Sequence, residues 1–251
     1  MADSIEQVSA SVDALLQDFD IIAHNLANVS TAGYKRRCSV FTETLKAQQA
    51  GTQEESNGSV TAEAAFDFSQ GHIVQTERPL DFALFGKGFF VIETPEGPLY
   101  TRNGTFHINQ NSQIVNSDGR IVAGQAGPIT VPTTIGPSQL TVTGDGSISA
   151  AGTAIGKFRL VDFADNQEKL VPAGAGCYRP ALSEVEGMPE DIQPIVAENV
   201  VVKQGYQEAS NVKMIDELVN MIIVSRLYEA NMKFITAQKE ASSSILSVAT
   251  G

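Results

Sequence analysis

Apolar side chains recur at alternating steps of three and four residues through the first part of the chain. This spacing draws one apolar stripe along an α-helix, as at the a and d positions of a coiled coil. Residues 1–32 contain neither glycine nor proline, which helices disfavour. The pattern predicts a helix about 40 Å long, ended by a left-handed residue at Gly33. The stripe consists of Ile5, Val8, Val12, Leu15, Phe19, Ile22, Leu26 and Val29.

A second segment without glycine or proline, residues 206–250, carries apolar residues on two faces of a predicted helix. One stripe contains Met214 and Met221, and the other contains Ile223 and Ala230. The N-terminal helix is too short to cover both faces, so we expect contacts on more than one side. The predicted assembly interface joins the N-terminal stripe to Leu218, Met221, Ile222, Leu227, Tyr228, Met232, Phe234 and Ile235.

The region between the two helical segments alternates short apolar runs with turn residues. All ten prolines lie between Pro79 and Pro194. The runs "KGFFVIE", "PLYTR" and "TFHIN" are typical of strands, the turn "TPEG" separates the first two, and Asn103-Gly104 and Asp118-Gly119 are hairpin signals. Short strands with close turns predict an all-β sandwich or partly closed barrel. Residues 46–65 are small and polar, which is typical of a flexible or extended connector.

These patterns together predict an α+β fold with three parts. Residues 1–35 and 206–251 form a helical assembly domain, in which the long N- and C-terminal helices pair as in a coiled coil. Residues 36–70 form the connector, and residues 71–205 form the β-rich domain.

Charge and composition narrow the classes of function. The net charge of −12 argues against nucleic acid or an anionic membrane as the main partner. No apolar run is long enough to insert into a membrane, and the N-terminus lacks the basic start of a cleaved signal peptide. Cys38 and Cys177 lie far apart and form no metal-binding pair. We find no catalytic, cofactor or metal motif, so we expect neither an enzyme nor a bound cofactor.

Three stretches resemble the bacterial flagellar axial proteins, which are the rod, hook and hook-associated subunits. The stretch "NLANVSTAGYKR" is similar to their N-terminal signature, and "GYQEASNVKMIDELVNMIIVSRLYEANMKFITA" is similar to their C-terminal signature. Between them, "GKGFFVIETPEGPLYTRNGTFHINQNSQIVNSDGRIVAG" resembles the β-region of rod and hook proteins. The stretches "ERPLDFALFGKGFF" and "GPITVP" look most like proximal rod subunits, and "QGYQEASNV" and "ELVNMI" are equally similar to distal ones.

This resemblance implies an inner tube of terminal helices with the β-rich domain outside it. It also implies export through the flagellar type III apparatus without a cleaved signal peptide, and a place in the periplasmic part of the basal body. The expected partners are copies of the chain, other rod and hook subunits and the export apparatus. The expected role is to transmit torque, with no catalysis and no cofactor.

The family motif of the N-terminal signature contains Asn25, Leu26, Ala27, Asn28 and Gly33. Amides in an apolar stripe can fix the register between subunits, as a single asparagine does in coiled coils. The alternative is that they are solvated at a fraying helix end. Three other functions remain as alternatives: a distal rod or hook subunit, a secreted β-domain adhesin or binding module with a helical stalk, and an enzyme with a site in the β-region.

Overall fold

The computed structural model describes residues 2–44, 59–181 and 192–250. The fold is α+β, as the sequence predicts, with helix α1 (Ala2–Ala27) at the N-terminus and helix α2 (Met214–Thr250) at the C-terminus. The region between them is mostly β. The strands in chain order are β1 (Arg36–Thr44), β2 (Ser59–Asp67), β3 (Ile73–Gln75), β4 (Phe82–Phe85), β5 (Phe89–Thr94), β6 (Gly97–Thr101), β7 (His107–Ile108), β8 (Ile114–Val115), β9 (Ile121–Gly124), β10 (Gly127–Pro128), β11 (Leu140–Val142), β12 (Ser147–Ala150), β13 (Thr153–Lys157), β14 (Leu160–Asp162), β15 (Leu170–Pro172), β16 (Cys177–Pro180), β17 (Ile195–Val196), β18 (Val201–Gln204) and β19 (Tyr206–Glu208).

The helix boundaries differ from the predicted ones. Helix α1 ends at Ala27, so Val29 lies in the turn that follows, and Gly33 is not the residue that ends the helix. Helix α2 begins at Met214, because residues 206–208 pair with β3 as strand β19. Strands β1 and β2 lie within the predicted connector, residues 36–70, and pair with each other. Its central residues 45–58 lie outside the described ranges.

The chain divides into two compact units. A helical unit contains residues 1–27, 37–65 and 213–251, and a β-rich unit contains residues 28–36 and 66–212. The main sheet of the β-rich unit has the strand order β15-β16-β6-β5-β9-β8-β7, and β14 also pairs with β5. Strand β5 is buried on both faces, since Phe89 and Val91 enter one core cluster while Phe90 and Ile92 enter the other. Packed layers therefore cover both faces of this strand.

Two of the predicted turns are confirmed and a third is wrong. Pro95-Glu96 joins β5 to β6, where Thr94 pairs with Gly97, and Asp118-Gly119 joins β8 to β9, where Val115 pairs with Ile121. The predicted hairpin at Asn103-Gly104 does not form, because β6 pairs with β5 and β16 instead. Gly104 serves close packing there: a Cβ on it would overlap the Phe82 backbone.

The segment that follows α1 is held against the segment that precedes α2, inside the β-rich unit. Gly33 N donates to Glu208 O at 2.7 Å, and Arg36 N donates to Asn211 Oδ1 at 2.7 Å. Asn211 Nδ2 in turn donates to the backbone oxygen of Asp67 at 2.8 Å. The side chain of Asn211 thus forms hydrogen bonds with the backbone of two other segments of the chain. We call residues 33–36 and 205–211 together the junction.

A buried ion pair lies at the centre of the junction. The side chains of Lys35 and Glu208 are both fully buried, and Lys35 Nζ lies 2.6 Å from Glu208 Oε1. Lys35 Nζ also donates to Ser69 O at 2.6 Å, and Gly71 N donates to Glu208 Oε1 at 2.9 Å. Arg102 Nη1 lies 3.7 Å from Glu208 Oε2. Burial lowers the pKa of Lys35, and the Arg102 charge adds to this, while Glu208 opposes it.

Gly33 is required by its surroundings as well as by its backbone. Its φ is +69°, in the left-handed region that side chains disfavour. A Cβ at this position would come within 2.6 Å of the Asn103 Cα and 2.7 Å of the Arg102 carbonyl carbon. Both neighbours are backbone atoms, so no side chain can rotate away to make room.

We predict that Gly33→Ala lowers the free energy of unfolding by at least about 2 kcal/mol more than Gly119→Ala does. Gly119 has a φ of +78°, but a Cβ there meets nothing within 4 Å, so this variant measures the backbone penalty alone. Urea denaturation of the two variants beside the wild type gives the difference. Equal losses would mean that the backbone around Gly33 moves aside without cost.

A second prediction concerns the pH dependence of stability. Because the pKa of Lys35 is lowered from its ordinary value of 10.5, the unfolded chain binds this proton more tightly than the folded chain. The contribution of Lys35 to stability therefore rises as the pH increases toward 10.5. We expect the wild type to gain stability relative to Lys35→Met over this rise, in denaturation series above about pH 8. The exposed Lys87→Met is the control, and a stability difference that is flat or falls with pH would contradict the assignment.

Candidate assembly surface

Helix α2 exposes large apolar side chains along one of its sides. Its exposed residues follow the steps i, i+3, i+4, i+7 and i+8, which place them on one side of a helix. Ile215 is 75% exposed, Ile222 is 58% exposed and Phe234 is 52% exposed. Contiguous exposed apolar patches mark interaction surfaces. This face, called the free face below, consists of Ile215, Leu218, Val219, Ile222, Ile223, Leu227 and Phe234.

The opposite side of α2 packs against α1 within the helical unit. Leu15, Leu16 and Phe19 of α1 line an apolar cavity of about 210 Å³ together with Val224 and Tyr228 of α2. Val224 is buried, and Met221, Tyr228 and Ile235 on the same side of α2 are half-buried. The two apolar faces predicted for this helix therefore differ, since α1 covers one of them.

The predicted interface residues are accordingly divided between the two faces. Leu218, Ile222, Leu227 and Phe234 lie on the free face, while Met232 is exposed at its margin. Met221, Tyr228 and Ile235 lie on the covered side.

The N-terminal stripe is divided in a similar way. Ile22 is buried and Phe19 is 41% exposed, although Phe19 also lines the cavity. The half-buried members are Val8, Val12, Leu15, Leu26 and Val29. Ile5 lies in α1, but its side chain is outside what the structure describes.

Asn25 of the family motif has a role inside the chain. Its side chain is fully buried, its Oδ1 accepts from Arg37 N at 2.8 Å, and its Nδ2 donates to Arg37 O at 2.9 Å. One amide thus satisfies both backbone groups of Arg37, where β1 begins. This geometry gives Asn25 a role within the helical unit, and its part in fixing register between subunits stays a prediction.

The other motif residues lie around the end of α1. Leu26 and Ala27 close the helix, and Asn28 begins a turn in which its oxygen accepts from Thr31 N at 3.1 Å. Asn28 Oδ1 also accepts from Thr31 Oγ1 at 3.1 Å. Asn28 is half-buried, so the register hypothesis still applies to it.

Sequence reasoning missed the residues that hold the junction. Lys35 and Asn211 are both polar residues in stretches that look solvent-exposed, and Glu208 stands among other polar residues. The sequence did contain one signal: in β19, where side chains alternate between the two faces, Glu208 occupies a position that faces the interior. Only the fold shows that the inward position faces a lysine from a distant part of the chain.

The described ranges contain no group of three or more His, Cys, Asp or Glu side chains that could hold a metal ion. Within the same ranges, no helix has both the length and the apolarity needed to cross a membrane.

Two family models match the chain. The model described as "Flagellar hook protein FlgE/F/G D1 domain" matches residues 83–150, and the one described as "Flagellar basal body rod FlgEFG protein C-terminal" matches residues 203–248. The first covers most of the β-rich unit's core strands, and the second covers the end of the junction and most of α2. These matches confirm the resemblance carried by the β-region and C-terminal stretches.

Curated relatives match the chain along most of its length. The chain is 32% identical to the flagellar basal-body rod protein FlgG of Buchnera aphidicola from Schizaphis graminum, over 91% of this chain and 93% of the relative. It is 33% identical to FlgG of Agrobacterium fabrum, over 94% and 95%. It is 30% identical to the flagellar basal-body rod protein FlgF of Caulobacter vibrioides, over 92% and 91%. The chain therefore belongs to the flagellar basal-body rod protein family and is a structural subunit of the rod.

Proposed function

We propose that this chain polymerises through α1 and α2 into the hollow axial tube of the flagellar rod, which transmits torque from motor to hook. The free face of α2 is the observation that supports the proposal most strongly. Seven large apolar side chains are exposed to solvent on one side of this helix, and α1 covers the other side. A second helix, from a neighbouring copy or another rod subunit, is the partner that such a stripe fits.

The energetics favour such an association. Burying a large apolar side chain contributes about 1.5–3 kcal/mol relative to leaving it exposed. The free-face residues are roughly half exposed already, so each contributes a part of that amount. Association also costs free energy, because two partners lose translational and rotational freedom. The summed burial free energy exceeds this cost when the chain contacts several neighbours at once. In this proposal the helices pair as in a coiled coil, and the β-rich unit, folded as a sandwich or partly closed barrel, forms the outer domain.

The finer identity of the subunit also belongs to this proposal. Relatives named FlgG and FlgF match at similar identity, 32% and 30% for two of them. These identities do not assign the chain to one of the two kinds of rod subunit. We keep the proximal rod subunit as first choice, on the stretches "ERPLDFALFGKGFF" and "GPITVP", and a distal rod or hook subunit as the alternative. We further propose a periplasmic location in the basal body, export through the flagellar type III apparatus, and a purely structural role without catalysis.

We predict that Ile222→Asp prevents rod assembly and changes the free energy of unfolding of the monomer by less than about 0.5 kcal/mol. Ile222 is 58% exposed, so an aspartate there is solvated in the monomer. In the assembled tube the same charge would be buried without a partner, which costs several kcal/mol. Electron microscopy of basal bodies from the mutant strain measures assembly, and thermal melting of the purified chain measures stability.

Lys239→Asp is the matched control, because Lys239 is an exposed polar residue on the same helix, roughly 100° around the helix axis from Ile222 and off the free face. Complete rods in this control and none in Ile222→Asp are the expected outcome. Complete rods in both strains would remove the free face from the interface.

A further inference from the structure

The cavity between α1 and α2 is open to solvent, although most of the residues that line it are apolar. Two of its lining residues on α1 are large and exposed: Leu16 is 51% exposed and Phe19 is 41% exposed. On α2, the buried Val224 and the exposed Ser225 line it. The helical unit thus carries a second apolar surface besides the free face.

The size of this cavity fits one large side chain. A cavity of about 150 Å³ lined by leucine, isoleucine and phenylalanine stays dry and binds benzene. The cavity between α1 and α2 measures about 210 Å³ and is lined in part by Leu15, Phe19 and Tyr228, so it has room for an aromatic ring. Filling it removes apolar surface from water, which stabilises a contact roughly in proportion to the area covered.

The free face offers an aromatic side chain of this size. Phe234 is 52% exposed and is the aromatic member of the seven free-face residues. It follows Tyr228 by six residues in α2, which places it about 9 Å further along the helix axis and about 120° around it. Phe234 therefore lies outside the cavity of its own chain, and a ring that fills this cavity has to come from another molecule.

We propose that Phe234 of one copy of this chain inserts into the cavity between α1 and α2 of another copy. The proposal rests on the rod function proposed above, and it names the surface of the neighbour that receives the free face. One contact of this kind covers both exposed apolar surfaces of the helical unit. A contact between two free faces would instead leave Leu16 and Phe19 in water.

The symmetry of this contact follows from the place of the two surfaces. The cavity and the free face lie on different sides of α2, so the contact joins unlike surfaces and is of the head-to-tail kind. A row of copies then always ends in one unfilled cavity and one uncovered free face, which lets further copies join. A contact between identical surfaces closes after two copies, whereas an extended rod requires the head-to-tail kind.

The experiment mixes two variants of the full-length chain in analytical ultracentrifugation. Phe234→Ala keeps an open cavity but lacks the inserting ring, and Ser225→Phe keeps Phe234 but fills its own cavity. Both positions are exposed, so these replacements leave the core intact. Each variant alone should associate at least tenfold more weakly than the wild type. Their equimolar mixture should form dimers of one chain of each kind, because Phe234 of the second variant enters the open cavity of the first.

Lys239→Phe is the control, since it adds the same ring at an exposed position of α2 outside the cavity and off the free face, and its association should stay within twofold of the wild type. Three results would overturn the proposal: no dimer in the mixture, equal losses in Ser225→Phe and the control, or a wild type that stays monomeric at every soluble concentration. Each of them leaves the rod function standing, with another rod subunit as the partner of the free face. Complete rods in the Ile222→Asp strain would instead remove the free face from the interface, and this proposal with it.

Discussion

The buried ion pair between Lys35 and Glu208 is the interaction on which the junction depends. The two residues are far apart in sequence, yet each satisfies the other and a backbone group beside it. A charge without its partner in this place would cost several kcal/mol, whereas the complete cluster of Lys35, Glu208 and Arg102 is tolerated. The pair therefore acts less as a source of stability than as a penalty on any other pairing of these two segments.

The pair also joins the two segments of the junction, both of which belong to the β-rich unit. Residues 33–36 follow α1 and residues 205–211 precede α2, and hydrogen bonds from Gly33 and Asn211 connect them side by side. One local network of hydrogen bonds and charges thus holds together two segments that lie far apart in sequence.

Sequence periodicity predicted the long elements well and the local contacts poorly. The heptad stripe identified α1, and the absence of glycine and proline identified α2, because both signals extend over many residues. The turn at Asp118-Gly119 formed as predicted, but Asn103-Gly104 did not, since Gly104 is needed where the chain passes the Phe82 backbone. Dipeptide signals cannot distinguish a tight turn from such a close approach. The ion pair was equally hidden, because its two residues meet only in the folded chain.

In the proposed tube, the free face of α2 would affect how the rod responds to temperature. Removing its exposed isoleucine, leucine, valine and phenylalanine side chains from water lowers the heat capacity of the system. Association driven in this way is largely entropic near room temperature and weakens on cooling. A filament held mainly by such contacts is therefore sensitive to cold. Polar contacts between subunits, whose contribution is mainly enthalpic, would then set the lowest temperature at which the filament stays intact.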